Sequence, residues 1–149
     1  MRLRFTMLTT REGRKHLENI PKLRSHLTRT VRRVGVQELE GLEELALNVI
    51  LQSDDELLVL NRTSLKHDYY TDIITFELER TDKVIEAELY ISVDRAKENA
   101  ERFGTDLVRE LTRVVVHGLL HLAGYDDKDP EKKKRMQVRE RFWLAEIFT

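Results

Sequence analysis

No cysteine occurs among the 149 residues. That excludes disulfides, thiolate zinc sites, iron–sulfur clusters and cysteine nucleophiles, so any transition-metal site must be built from His and carboxylates. Proline is limited to two residues and glycine to six. There is no Gly/Ser/Pro linker, internal repeat or low-complexity tract, so the chain reads as mostly regular structure in one domain, residues 1–149. No apolar run approaches the ~20 residues needed to cross a bilayer. The opening MRLRFTMLTTREGRK lacks a long apolar stretch and a small-residue cleavage site, which predicts a soluble, cytoplasmic protein with no membrane partner.

What is abundant is charge. The 26 Lys+Arg and 27 Asp+Glu give a net charge of −1, but that is an average over two unlike parts. Residues 1–36 hold ten basic side chains and two acidic ones, a local charge of +8, and the remainder carries −9. A basic segment on a near-neutral protein points to a polyanion partner. The competing reading is a solvated face of a charge-rich protein.

Hydrophobic periodicity divides the chain into strands and helices. Arg2–Met7 reads as a strand. Thr9 and Glu12 have capping-box spacing and predict a helix opening near Thr10. After Pro21, Leu23, Leu27, Val31 and Val34 share a helical face, with Arg24, Arg29, Arg32 and Arg33 largely away from it and Gly35 as the expected stop. Leu45–Leu51 alternates as a strand. Ser53, followed by Asp54, Asp55 and Glu56, is an N-cap with acids in the first turn, for a helix ending near Leu60 or Asn61. Ile73–Leu78 is a β-branched and aromatic strand, Glu79–Lys83 a turn, and Ile85–Val93 a strand of strict period two. Helices follow over Asp94–Phe103, Thr105–Ala123 and Pro130–Ile147. The expected fold is α+β (mixed α/β): a single mixed sheet of about four strands packed with about five helices.

The Thr105–Ala123 helix holds the main chemical signal. It is apolar around most of its circumference, as a buried helix is. Yet Glu110, Arg113, His117 and His121 form one narrow polar stripe, and burying such a stripe without partners would cost several kcal/mol. His117 and His121, four residues apart, project from one side and can offer two nitrogens to one metal. Gly124 can turn the chain back, so H-x-x-x-H-x-x-G-x-x-D delivers Asp127 as a third ligand, with Asp126 and Asp129 as competitors for that role. The competing reading of the two His is a hydrogen-bonded pair. A zincin peptidase needs Glu directly after the first His as its general base. Gly118 stands there, which argues against peptide hydrolysis. Glu110 can orient a ligand His or simply pair with Arg113.

HGLLHLAGYD at 117–126 closely resembles the H-G-x-L-H-L-x-G-Y-D-H signature of the YbeY-type endoribonucleases, bacterial rRNA maturation factors. Leu60-Asn61 and Thr71-Asp72-Ile73-Ile74-Thr75-Phe76 resemble that family's Leu-Asn and Thr-Asp-Val-Leu-Ser-Phe. Ala87 through Ser92 sits where it has Gly-Asp-Ile-x-Ile-Ser, with Ala87 for Gly and Glu88 for Asp. The resemblance covers essentially the whole chain. It implies a metal-dependent nuclease of single-stranded RNA, acting in 3′-end maturation of small-subunit ribosomal RNA and in ribosome quality control. It implies one zinc ion, held by residues corresponding to His117, His121 and Asp127, with His117 and His121 catalytic, and no DNA partner. Two departures are plain. Asp127 replaces the family's third His, which admits harder divalent ions, and Leu65 replaces a functionally important Arg. Arg62 and Lys66 are neighbours able to supply the lost charge, while His67 reads as a plain surface-loop residue. Arg29, Arg32 and Arg33 are the further candidates for RNA-backbone contact. Alternative readings are a non-catalytic ribosome-assembly factor with a structural metal, or a metal-dependent hydrolase of other substrates.

Overall fold

A computed structural model describes residues 1–149. One four-stranded mixed sheet carries five helices. The strands are β1 (Arg2–Thr9), β2 (Glu44–Gln52), β3 (Ile73–Arg80) and β4 (Val84–Ser92), in the order β1-β2-β4-β3. The β1/β2 and β2/β4 pairs are parallel, and β3 runs antiparallel to β4. The helices are α1 (Leu23–Glu38), α2 (Asp54–Leu65), α3 (Val93–Arg102), α4 (Leu107–Leu122) and α5 (Pro130–Ile147). The expected fold class, strand number and helix number all stand.

The period-two pattern builds the core. Leu45, Leu47, Val49 and Leu51 of β2 lie beside Ile85, Ala87, Leu89 and Ile91 of β4, and all eight are buried. Against them lies α4, which also touches α1, α3 and α5. This central position explains why its sequence is apolar nearly all round. Its buried Leu111, Val114, Val115, Leu119 and Leu122 join the same cluster as Leu27 and Val31 of α1 and Trp143 of α5.

Several expected boundaries are corrected. Residues Gly13–His16 form only a short 3-10 turn where a helix was expected. Thr10 rather than Thr9 accepts from the Gly13 N–H (3.0 Å), while Glu12 pairs with Lys15. The turn is wedged against the end of β2, where a Cβ on Gly13 would come 2.6 Å from the Leu51 carbonyl oxygen. Gly35 does not stop α1, which runs on to Glu38, because this glycine is packed tightly over Met1 and Leu45. Helix α2 passes Asn61 to Leu65 and is capped by Lys66 in the left-handed conformation. Strand β3 continues to Arg80 through an irregularity between Glu77 and Glu79. The Ser53 cap is present as a complete box with Glu56.

Gly118 marks where α4 approaches the sheet. A Cβ there would lie 2.9 Å from both methyl carbons of Leu89 and 3.1 Å from Cδ1 of Ile73. Gly118→Ala is expected to overpack this contact and destabilise the protein by ~1–3 kcal/mol, read as a shift of the denaturation midpoint at unchanged slope. An unshifted midpoint would mean that the helix can lift from the sheet without cost. The same geometry disposes of a zincin-type base: a Glu at 118 would project into the sheet.

Candidate metal centre and RNA-processing site

The polar stripe of α4 is neither bare nor unpartnered. Glu110 accepts from Arg113 Nε at 2.8 Å, so of its two expected roles it has the pairing one. Arg113 also reaches Glu140 of α5 at 3.1 Å and Asp72, just before β3, at 3.4 Å. Burial alone would lower the Arg113 pKa, but Glu110, Glu140 and Asp72 outweigh it and hold the guanidinium above its ordinary value. Three carboxylates around one guanidinium leave surplus negative charge beside His117, an environment that favours a cation next to it.

Glu140 is 6% exposed, and its second oxygen lies 3.0 Å from His117 Nδ1. A carboxylate can only accept, so Nδ1 carries the proton and the Nε2 lone pair is left for the cleft. This is the outer-sphere support that metal-ligating imidazoles use. His117 Nε2 and His121 Nε2 are 3.1 Å apart. Burial, reinforced by the nearby His117, lowers the His121 pKa and favours its neutral form. Two nitrogens bound at ~2.0–2.1 Å to a tetrahedral zinc sit ~3.3 Å apart, close to the spacing seen. The donor set therefore fits a divalent ion.

The turn after α4 supplies the third member. Gly124 has φ +102°. The N–H of Gly124 donates to the His121 carbonyl and that of Tyr125 to Leu120, both at 3.0 Å, closing the helix in a Schellman motif. Candidate donor atoms of His117, His121 and Asp127 then all lie within 4.8 Å of one another. Its two competitors are engaged elsewhere. Asp126 accepts from the Lys128 N–H at 3.1 Å and faces Lys132. Asp129 is the N-cap of α5, accepting from Lys132 N–H at 2.9 Å. Arg80 of β3 donates to the Leu122 carbonyl at 2.7 Å and secures the helix end beside His121.

The trio lines a cleft of about 750 Å³ together with residues of the α2–β3 segment. Buried Asn61 organises that segment: its side chain donates to the Tyr69 carbonyl at 2.9 Å and its own carbonyl accepts from the His67 N–H at 3.1 Å. His67, read from sequence as a plain surface-loop residue, lines the cleft, as does Leu65. Arg62 instead ion-pairs with Asp68, and Lys66 caps α2. Arg29, Arg32 and Arg33 are exposed on α1, Arg33 pairing with Glu146 at 3.1 Å. None of these five basic residues lines the cleft. The basic side chains that border the trio are Lys128 and, in an adjoining recess, Lys133 and Arg113.

The family model described as endoribonuclease YbeY matches residues 11–147. The chain belongs to the endoribonuclease YbeY family. The YbeY relative from Cytophaga hutchinsonii is 49% identical over 105 residues, covering 70% of this chain and 73% of the relative. That from Bacteroides thetaiotaomicron is 42% identical over 118 residues, covering 79% and 84%. The solution structure of a Thermotoga maritima protein aligns at TM-score 0.65 and 28% identity, covering 97% of this chain and 89% of that one. Membership of the YbeY family makes the chain an RNA hydrolase by class. The sequence did not single out Glu140, the contact of Asp72 with Arg113, or the position of His67 in the cleft. Glu140 had a legible signal, since it interrupts the buried stripe of Met136, Trp143 and Leu144 on α5.

Proposed function

We propose that this protein is a zinc-dependent, single-strand-specific endoribonuclease acting in 3′-end maturation of small-subunit ribosomal RNA and in ribosome quality control, as one cytoplasmic domain, residues 1–149. The observation that carries this reading is the convergence of His117, His121 and Asp127 on one cleft wall, with Glu140 fixing His117 from behind. The name endoribonuclease borne by relatives 42–49% identical supports the reaction class. No helix is long and apolar enough to cross a membrane, and the partner is RNA and the ribosome rather than DNA.

His117 and His121 would hold the ion through ring nitrogens and Asp127 through a carboxylate oxygen. When bound, the ion lowers the pKa of a water molecule and polarises the scissile phosphodiester. Glu140 keeps the proton on His117 Nδ1, so the ligand nitrogen stays aimed at the cleft. Lys128, on the cleft wall with Asp127, offers positive charge to a phosphate.

The test is cleavage of single-stranded and duplex RNA by protein of measured metal content. Cleavage restricted to the single strand, lost on chelation and restored by zinc, is the expected result. Metal-loaded protein that binds RNA but does not cut it overturns the catalytic reading in favour of an assembly factor with a structural metal. Asp127→Ala is expected to weaken metal affinity about tenfold or more, since losing a ligand costs no less than losing an outer-sphere partner. Isothermal titration checks this, and unchanged affinity removes Asp127 from the ligand set.

A further inference from the structure

The part of the cleft lining that the α2–β3 segment supplies has a chemistry that phosphate binding and metal ligation leave unused. Tyr69, 55% exposed, is stacked on His67 with ring centroids 5.2 Å apart and an interplanar angle of 18°. The Tyr69 hydroxyl and His67 Nδ1 are 3.0 Å apart, which ties the two rings together. Asn61 pins the backbone of both residues, and at 1% exposure it is itself firmly held. The pair is therefore a preformed aromatic surface, and little conformational freedom remains to be lost when something settles on it.

Both rings line the same cleft as His117, His121 and Asp127, and Leu65 extends that lining with apolar surface. Lys128 is the only Lys or Arg along the cleft, against three acidic residues. A phosphate backbone thus finds little net positive charge here, and affinity for RNA needs another source. Base–aromatic stacking provides one that is indifferent to sequence and to salt.

We propose that the His67–Tyr69 pair is a nucleobase-stacking subsite, which holds a base of single-stranded RNA flat against one wall while its phosphate lies at the His117–His121–Asp127 wall. This rests on the RNA-cleavage reading above. It explains preference for unpaired RNA physically, because a base in a duplex is already stacked on its neighbours and cannot lie on a protein ring. The cleft, at about 750 Å³, has the scale of small-molecule sites, ~300–1,000 Å³.

Steady-state cleavage of a single-stranded oligoribonucleotide by metal-loaded protein tests the subsite, with 2-aminopurine fluorescence reporting stacking of the base beside the cut. Tyr69→Ala and His67→Ala are each expected to raise KM about tenfold, to lower kcat much less, and to reduce the 2-aminopurine quench. The salt dependence of KM should keep its slope, because no phosphate contact is removed. His67→Phe, which restores a ring without ring nitrogens, should recover the KM lost in His67→Ala. Wild-type cleavage with unchanged KM and quench in both alanine variants overturns the subsite and leaves the nuclease reading intact. A fall in kcat for His67→Phe with loss of one limb of the pH profile also overturns it, making His67 a proton-transfer group. Absence of cleavage and binding by the wild type overturns the nuclease reading and the subsite together. Both rings are exposed, and circular dichroism verifies that the variants fold.

Discussion

In His121→Ala and His117→Ala, bound metal and RNA cleavage are expected to fall to background together. The two imidazoles are the nitrogen donors of the trio, with Nε2 atoms 3.1 Å apart. One nitrogen and one exposed carboxylate do not make a site competitive with chelation by solution components. The fold should survive, because both side chains face a cleft and neither belongs to the hydrophobic cluster. Removing His117 leaves one oxygen of the buried Glu140 carboxylate without its donor, a cost of ~1–3 kcal/mol. Metal binding to the native state raises stability by mass action. Zinc should therefore raise the midpoint of thermal unfolding in the wild type and leave it unmoved in both variants. Elemental analysis is the decisive measurement, and stoichiometric metal retained in the double variant would refute the assignment.

The second large effect is expected at a residue that does not touch the metal. Glu140→Gln keeps the size of the side chain but removes the charge that fixes the Nδ1 proton of His117. Partners of this kind are worth 10–100-fold in metal affinity, and a loss in that range is expected by competition with a chromophoric chelator. Arg113 retains Glu110 at 2.8 Å, so its charge is not stranded and the variant remains folded. Glu140→Ala goes further, leaving the His117 N–H and one Arg113 N–H without their acceptor, and is expected to destabilise the protein by ~1–3 kcal/mol in addition. Affinity unchanged in Glu140→Gln would show that His117 is positioned by helix packing alone.

Much of this was legible before any coordinate. Strict alternation over Ile85–Val93 names a half-buried strand because side chains on a strand alternate faces; buried Ile85, Ala87, Leu89 and Ile91 of β4 obey it, whereas Val93 opens α3. His117 and His121 share a direction because four residues span just over one helical turn. Gly124 and the residues after it fold back because a left-handed cap is open to glycine without strain. The boundaries that went astray did so where tertiary contact overrides local preference. Gly35 is a plausible stop in isolation, but α1 runs through it because that position lies against Met1 and Leu45. The 3-10 turn at Gly13–His16 is short because the end of β2 lies directly beneath it.

The sequence by itself determined the four strands and five helices and put His117 and His121 on one helix face, which follow from spacing within a segment, and its motif at 117–126 carried the family resemblance. Only the tertiary structure set Asp127 apart from Asp126 and Asp129, because the turn and the α5 cap engage those two. It alone brought Glu140 to His117 across 23 positions, and set His67 and Tyr69 in the same cleft as His117, His121 and Asp127. A residue's partner on another helix is fixed by how the helices pack, and no local period in the chain encodes that.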